Sequence, residues 1–190
     1  MTYIKMIKHA GTQTIETARL ILRRFEVDDA DVMFHNWASD NTVTRYMTWQ
    51  AHKDTDETKG ILQQWIDGYS NENSYHWGIS LADSELIGSI GIFVSEEDYS
   101  GSIGYCIGQK WWSKGYTSEA LKAVIDYMFT NTDIERIHAY HAVENPASGK
   151  VMEKAGMEFE GCSKRSFKNT HGFHDSNLYG IIREMWEGKN

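Results

Sequence analysis

The residues best suited to chemistry lie in one stretch and one short partner segment. Gly104 to Phe129 reads GYCIGQKWWSKGYTSEALKAVIDYMF. It opens as a strand, Ser102 to Gly108. A glycine-lysine turn follows at Lys114-Gly115, and a helix begins near Thr117. Leu121, Val124, Ile125, Met128 and Phe129 recur at helical spacing and mark one buried face. Amides at a helix start lack intrahelical partners, and the helix dipole adds a positive field. Such an end favours a phosphate by roughly 0.3–1 kcal/mol when exposed and up to about 2 when partly buried. The stretch contains neither GxxxxGK[ST] nor GxGxxG, so it does not name its phosphate ligand. Read locally, it is equally a strand-to-helix turn with a solvated Lys114.

The partner segment runs from Glu144 to Gly156. Pro146 falls at the first turn of a helix, Asn145 or Glu144 stands at its cap, and Gly156 suits its left-handed end. Read locally, Asn145 is a cap, Ser148 a first-turn residue and Glu144 a solvated end. His138, His141 and His174 titrate in a useful range. His138 and His141 sit three apart in a predicted strand and so face opposite sides, which argues against a metal site. Cys106 and Cys162 are the only cysteines and set neither a disulfide framework nor a four-cysteine zinc site.

The flanking elements must position these two segments. Met1 to Thr14 reads as a poorly determined lead-in, an N-terminal extension, and Glu16 to Phe25 as the first strand. A helix is predicted from an Asp28 cap to about Ala38, then an ambiguous turn over Thr42 to Met47. Asp54 or Thr55 caps a longer helix through about Tyr69, with Ile61, Leu62, Trp65 and Ile66 on one side. Tyr75 to Ala82, Leu86 to Val94 and Gly101 to Gly108 form a meander, with a hairpin turn at Asp83-Ser84. Gly88 and Gly91 inside a strand allow a bulge or a close backbone neighbour. Ile137 to Val143, Met157 to Cys162 and about Phe173 to Ile182 are the remaining strands. The order gives an α/β fold, a mixed and mostly antiparallel sheet with helices on both faces.

At 190 residues and 41% hydrophobic, the chain fits one domain spanning 1–190. A formal net charge of −8 argues against nonspecific nucleic-acid binding. No apolar run is long enough to span a membrane, and no signal-peptide core is present. A cytoplasmic protein is expected. Its oligomeric state is not legible, and a homodimer stays open.

Several motifs, in order, resemble the GNAT superfamily of acyl-CoA-dependent N-acyltransferases, in the ribosomal-protein N-terminal acetyltransferase (RimJ/RimL-like) branch. They are Thr17 to Arg23, Gly88 with Gly91, Trp112 to Ala120, Asn145 to Gly156, Glu160-Gly161, and Asp175 with Tyr179. The resemblance implies a splayed sheet and acetyl-CoA as co-substrate, with no metal. It implies that the diphosphate lies against Lys114, Gly115, Tyr116, Thr117 and Ser118, and that the pantetheine arm pairs with the strand end Tyr105, Cys106 and Ile107. Asn145 would contact the cofactor, and Ser148 would lie near its thiol. Trp112 stands where the superfamily carries Gln or Arg, and Thr117 replaces a smaller residue.

For catalysis the resemblance implies Ser148 as donor to the leaving thiolate and Tyr140 at the position of a strand carboxylate. Met152 occupies the position of an acid tyrosine found in many relatives, and Phe167 that of a glutamate base. A missing base bears on the acceptor. At pH 7.5, deprotonation costs roughly 0.7 kcal/mol for a peptide α-amine and about 4 kcal/mol for a lysine amine. The expected activity is acetyl transfer to a primary amine, a protein N-terminus or a small molecule. A CoA-binding regulatory module without turnover, or a module for another phosphate ligand, remains an alternative. Trp37, Trp49, Trp65 and Trp77 are either core or the wall of an aromatic acceptor pocket.

Overall fold

The computed structural model describes residues 6–83 and 85–188. Strands β1 (Ile15–Glu16) and β2 (Leu20–Arg23) are followed by α1 (Asp29–Met33), a π-helical turn (Phe34–Ala38), α2 (Asn41–Thr44) and α3 (Thr55–Gly68). The meander is β3 (His76–Leu81), β4 (Leu86–Ser95) and β5 (Ser100–Ile107). Then come α4 (Tyr116–Asn131), β6 (Arg136–Ala142), α5 (Pro146–Lys154), β7 (Glu158–Asn169), β8 (Gly172–Ile182) and α6 (Arg183–Glu187). The strands form one sheet in the order β1-β2-β3-β4-β5-β6-β8-β7. Every pairing is antiparallel except β5 with β6.

Two apolar clusters show why helices cover both faces. Leu121, Val124, Ile125, Met128 and Phe129 of α4 pack with Trp77, Ile79 and Ile90 on one side. Met33, Trp37 and Leu62 pack with Phe25 and Leu86 on the other. The periodic face of α4 is therefore the buried one, as its sequence predicts.

The parallel pair is the exception that matters. β5 and β6 are bonded only over Ser100↔Arg136, Gly101↔Ile137 and Ser102↔His138. Beyond them the strands part. Each keeps its outer neighbour: β4 stays paired with β5 out to Gly88↔Ile107, and β8 with β6 out to Ala142↔Ser176.

Several expectations need correction. The N-terminal segment is not a loose lead-in. Ile7 is buried, the Gly11 amide donates to the Glu72 carbonyl at 2.8 Å, and the Thr12 hydroxyl donates to the Ser74 carbonyl at 2.8 Å. Long-range hydrogen bonds and the burial of Ile7, not periodicity, hold it; residues 1–5 lie outside the described residues. The first predicted strand is broken at Thr17, whose amide turns back to the Leu20 carbonyl at 2.9 Å. The helix predicted to Ala38 widens into a π turn that sinks Trp37 into the core. Asp28 makes no cap bond. Asp29 instead accepts from the Glu26 amide and pairs with Arg23 through two bonds of 2.8 Å. β7 extends to Asn169, past the predicted Cys162, because its exposed face carries no apolar alternation to mark its length. Of the predicted Asp83-Ser84 turn, Ser84 lies outside the described residues.

Other expectations hold. Asp54 caps α3, accepting from the Glu57 amide at 2.8 Å. Gly156 ends α5 at φ +93°. Opposite Gly88 the β3–β4 register shifts between Ile79 and Ser80. A Cβ on Gly88 would lie 2.4 Å from the Cys106 carbonyl oxygen and 2.9 Å from the Ile107 Cα, both backbone atoms that cannot swing aside.

Gly88→Ala is therefore expected to lower stability by about 1–3 kcal/mol, the usual range for overpacking. Gly60→Ala, in α3 where nothing lies within 4 Å, is expected to raise it by about 0.5–1 kcal/mol. Urea unfolding of the two variants checks the contrast. Equal effects would contradict the close β4–β5 approach.

Candidate active site

A cavity of about 1300 Å³ opens where β5 and β6 separate. Ile103, Gly104, Tyr105, Cys106 and Ile107 of β5 line one side, and Tyr140 with Asn145, Ser148, Val151 and Met152 the other. Trp112, Ser113, Gly115, Thr117 and Ser118 close one end. The opposite wing runs past Trp65, His76 and Gly91 to Phe93.

At the closed end Gly115 caps α4 with φ +82°, a left-handed conformation that favours glycine. The Glu119 amide is the first in the helix to reach an earlier carbonyl, that of Gly115 at 3.1 Å. The amides of Tyr116, Thr117 and Ser118 precede that ladder and are free to meet an anion. Lys114 is exposed, and neither it nor Tyr116 lines the cavity. Tyr116 lies beneath the Arg19 guanidinium, 4.7 Å from its ring centre.

The turn is clamped from the short loop between β1 and β2. The Thr17 hydroxyl donates to the Glu119 carboxylate at 2.7 Å, and the Arg19 Nε does so at 2.7 Å. A second Arg19 nitrogen donates to the Lys114 carbonyl at 3.0 Å. Burial pushes the Glu119 carboxyl up, but the bonds from Thr17 and Arg19 outweigh it and hold the group below the ordinary 4.5. The motif residues were visible in the sequence. Their mutual contact was not, because Arg19 and Glu119 are 100 positions apart.

Trp112 has a structural job at its unusual position. Its indole N–H donates to the Ile107 carbonyl at 2.8 Å, tying off the end of β5. Cys106 turns its thiol to the Ser89 hydroxyl at 3.3 Å, and burial pushes that thiol up to about 11. Such a thiol is a packed wall residue rather than a nucleophile.

At the middle of the cavity the Tyr105 hydroxyl lies 3.0 Å from the Ser148 carbonyl oxygen and 2.9 Å from the Ser148 hydroxyl, and its single proton serves one of them at a time. This contact links the two parted walls. Asn145 stands at the start of α5, but its side chain makes no cap bond, so the capping reading of Asn145 is not realised. Tyr140 is 47% exposed, with its ring 5.8 Å from that of Phe167.

Groups able to take a proton are poorly placed on these walls. Burial lowers His76 to about 4, which leaves it neutral near pH 7, and its Nε2 has no partner. The Glu96 carboxylate is tied to the Ile7 amide at 3.1 Å and to His9. Trp37 and Trp77 are core, Trp65 lines the cavity, and Trp49 packs beside the Trp37 cluster. His141 is buried and its Nδ1 bonds the Ala142 carbonyl at 2.7 Å. Among the described residues no group of three or more His, Cys, Asp or Glu is placed to hold a metal. No helix among them is long and apolar enough to cross a membrane.

Comparison with known proteins decides the family. The acetyltransferase (GNAT) domain profile matches residues 19–158. The chain belongs to the GNAT acetyltransferase family. The uncharacterized N-acetyltransferase p20 of Bacillus licheniformis is 30% identical over 178 residues, covering 93% of this chain and 99% of that one. The [ribosomal protein uS5]-alanine N-acetyltransferase of Escherichia coli is 29% identical over 180 residues, covering 90% and 92%. A solved structure of RimL, a ribosomal L7/L12 alpha-N-protein acetyltransferase in complex with coenzyme A, superposes with a TM-score of 0.81 at 21% identity, covering 90% of this chain and 98% of that one. This GNAT acetyltransferase has strands that part beside its cavity, a helix start at the cavity's end, and a clamp of Thr17, Arg19 and Glu119.

Glu119→Gln is expected to cost about 1–2 kcal/mol at pH 7, a charge-assisted bond discounted for the partly exposed Arg19. The sign follows from a depressed carboxyl. Its contribution is present above pH 4.5 and fades as pH falls through the folded value. Chemical unfolding of both proteins from pH 7 to pH 3 should show the gap closing on the acid side. A gap that stays constant would mean that the carboxylate does not carry the clamp.

Proposed function

We propose that this chain moves an acetyl group from acetyl-CoA to a primary amine by direct attack, with a protein N-terminal α-amine as the favoured acceptor. One observation carries the reading. β5 and β6 part beside 103–107 and open into a cavity whose closed end holds the first amides of α4. An arm bearing amide groups can satisfy the strand edge that β6 leaves, and a diphosphate can meet the helix start.

In this reading Gly115, Tyr116, Thr117 and Ser118 hold the diphosphate through their amides. Lys114 adds charge from outside the cavity. Tyr105, Cys106 and Ile107 offer the strand edge, although the Ile107 carbonyl is already taken by Trp112. Asn145 contacts the arm, and Ser148 donates a hydrogen bond toward the departing sulfur. Tyr140, exposed in the cavity, orients the incoming amine or a water beside it. The acceptor choice has two supports. The walls lack an unengaged strong base, which favours an amine that deprotonates at low cost. The relatives also include acetyltransferases of ribosomal proteins. No metal enters the reaction, and a cytoplasmic location fits it.

Acetyl-CoA with a panel of peptides, lysine derivatives and small amines, followed by release of free thiol, is the test. Turnover is expected with peptides bearing a free N-terminus, falling by at least tenfold when that terminus is blocked and lysine is left. Tight CoA binding with no thiol release across the panel would instead support a binding module without turnover. That outcome would fit the buried, apolar Met152.

A further inference from the structure

The geometry points to Tyr105 as a positioning residue: its phenol fixes the Ser148 hydroxyl as a donor aimed at the sulfur that leaves the thioester. This rests on the reading of Ser148 above and goes beyond it.

Tyr105 lies on the part of β5 that β6 has left, so its side chain crosses the opening to α5 rather than packing under a neighbouring strand. Its hydroxyl meets two atoms of one residue, the Ser148 carbonyl oxygen at 3.0 Å and the Ser148 Oγ at 2.9 Å. Burial pushes the Tyr105 phenol up, so it keeps its proton throughout the working range and can only be a neutral partner. The Tyr179 hydroxyl, on the same side, is turned away to donate to Glu153 at 3.0 Å. One turn beyond Ser148 on α5 stands Met152, buried and without a donor.

A serine in the first turn of a helix has several rotamers of similar energy. The Tyr105 contact selects one of them. When the phenol proton points to Ser148 Oγ, the serine proton is released toward the cavity, and the donated bond polarises it. As the acceptor nitrogen bonds to the acetyl carbon, the C–S bond breaks and its electron pair stays on sulfur. The Ser148 O–H bond to that sulfur strengthens as the charge grows. The ammonium proton leaves to solvent, and the thiolate is later protonated from solvent. Tyr105 and Ser148 end each cycle with their protons in place.

The test compares wild type, Ser148→Ala, Tyr105→Phe and the double variant, each with kcat and KM for acetyl-CoA, CoA affinity by calorimetry, and thermal melting. Ser148→Ala is expected to lower kcat by about 100-fold, the size of losing one preorganised donor. Tyr105→Phe keeps the ring and should lower kcat by about tenfold, below the roughly 100-fold that misplacement can cost. KM for acetyl-CoA and CoA affinity should stay within about twofold, since the effect is confined to the departing sulfur. The double variant should be no slower than Ser148→Ala, because the phenol acts through the serine. Three results would overturn the proposal. They are an unchanged kcat in Tyr105→Phe, a double variant slower by the product of the single losses, or a CoA affinity that falls as far as kcat. A silent Ser148→Ala would remove the serine reading and this one together. A wild type that transfers nothing would remove the acetyltransferase reading first.

Discussion

The active-site geometry depends on how briefly β5 and β6 are hydrogen-bonded. Three paired positions, Ser100 to Ser102 with Arg136 to His138, hold the two halves of the sheet together. Everything beyond them is a gap. A strand edge buried without partners costs about 1–3 kcal/mol per unpaired group. Here the edge is tolerated because it faces a cavity that water or a ligand can fill. The parting persists because each strand is zipped to its outer neighbour, β5 to β4 and β6 to β8. Neither can swing inward without dragging half a sheet along.

The helix that closes the slot is fixed from both ends by arginines of distant segments. Arg19 and Thr17 grip the turn before α4 through Glu119 and the Lys114 carbonyl. Beyond the C-terminal end of α4, Arg183 donates to the carbonyls of Phe129, Thr132 and Ile134, at 2.7, 2.7 and 2.8 Å. Between these anchors the apolar face of α4 is sealed against the sheet. The amides at its start are thus set by packing before any anion arrives, and such preorganisation is what makes a helix terminus useful for binding. On the other wall, Tyr105 spans to Ser148 and keeps the two sides in register.

How much of this the sequence disclosed follows from the range of each interaction. The body of α4 and the ends of α5 were legible because apolar spacing, Pro146, Gly115 and Gly156 are local signals. The break in the first helix was not, since the π turn follows from how Trp37 reaches the core rather than from any local residue preference. β7 runs past the strand its sequence predicts because an exposed edge strand shows no apolar alternation. The resemblance supplied the parted strands; composition and spacing did not. The clamp and the Tyr105–Ser148 contact were invisible for a plainer reason, as their partners are 100 and 43 positions apart. The ordered course of the N-terminal segment has no local signal, because the hydrogen bonds to Ser74, Tyr75 and Glu72 that hold it leave no periodic trace.

The most direct test of the parted edge as a ligand seat is amide hydrogen exchange with and without coenzyme A. The account predicts slowed exchange at β6-facing amides within 103–107 and at Tyr116, Thr117 and Ser118. Exchange at 100–102, already paired with β6, should change little. Protection that appears elsewhere on the sheet, with these amides unaffected by saturating coenzyme A, would contradict it.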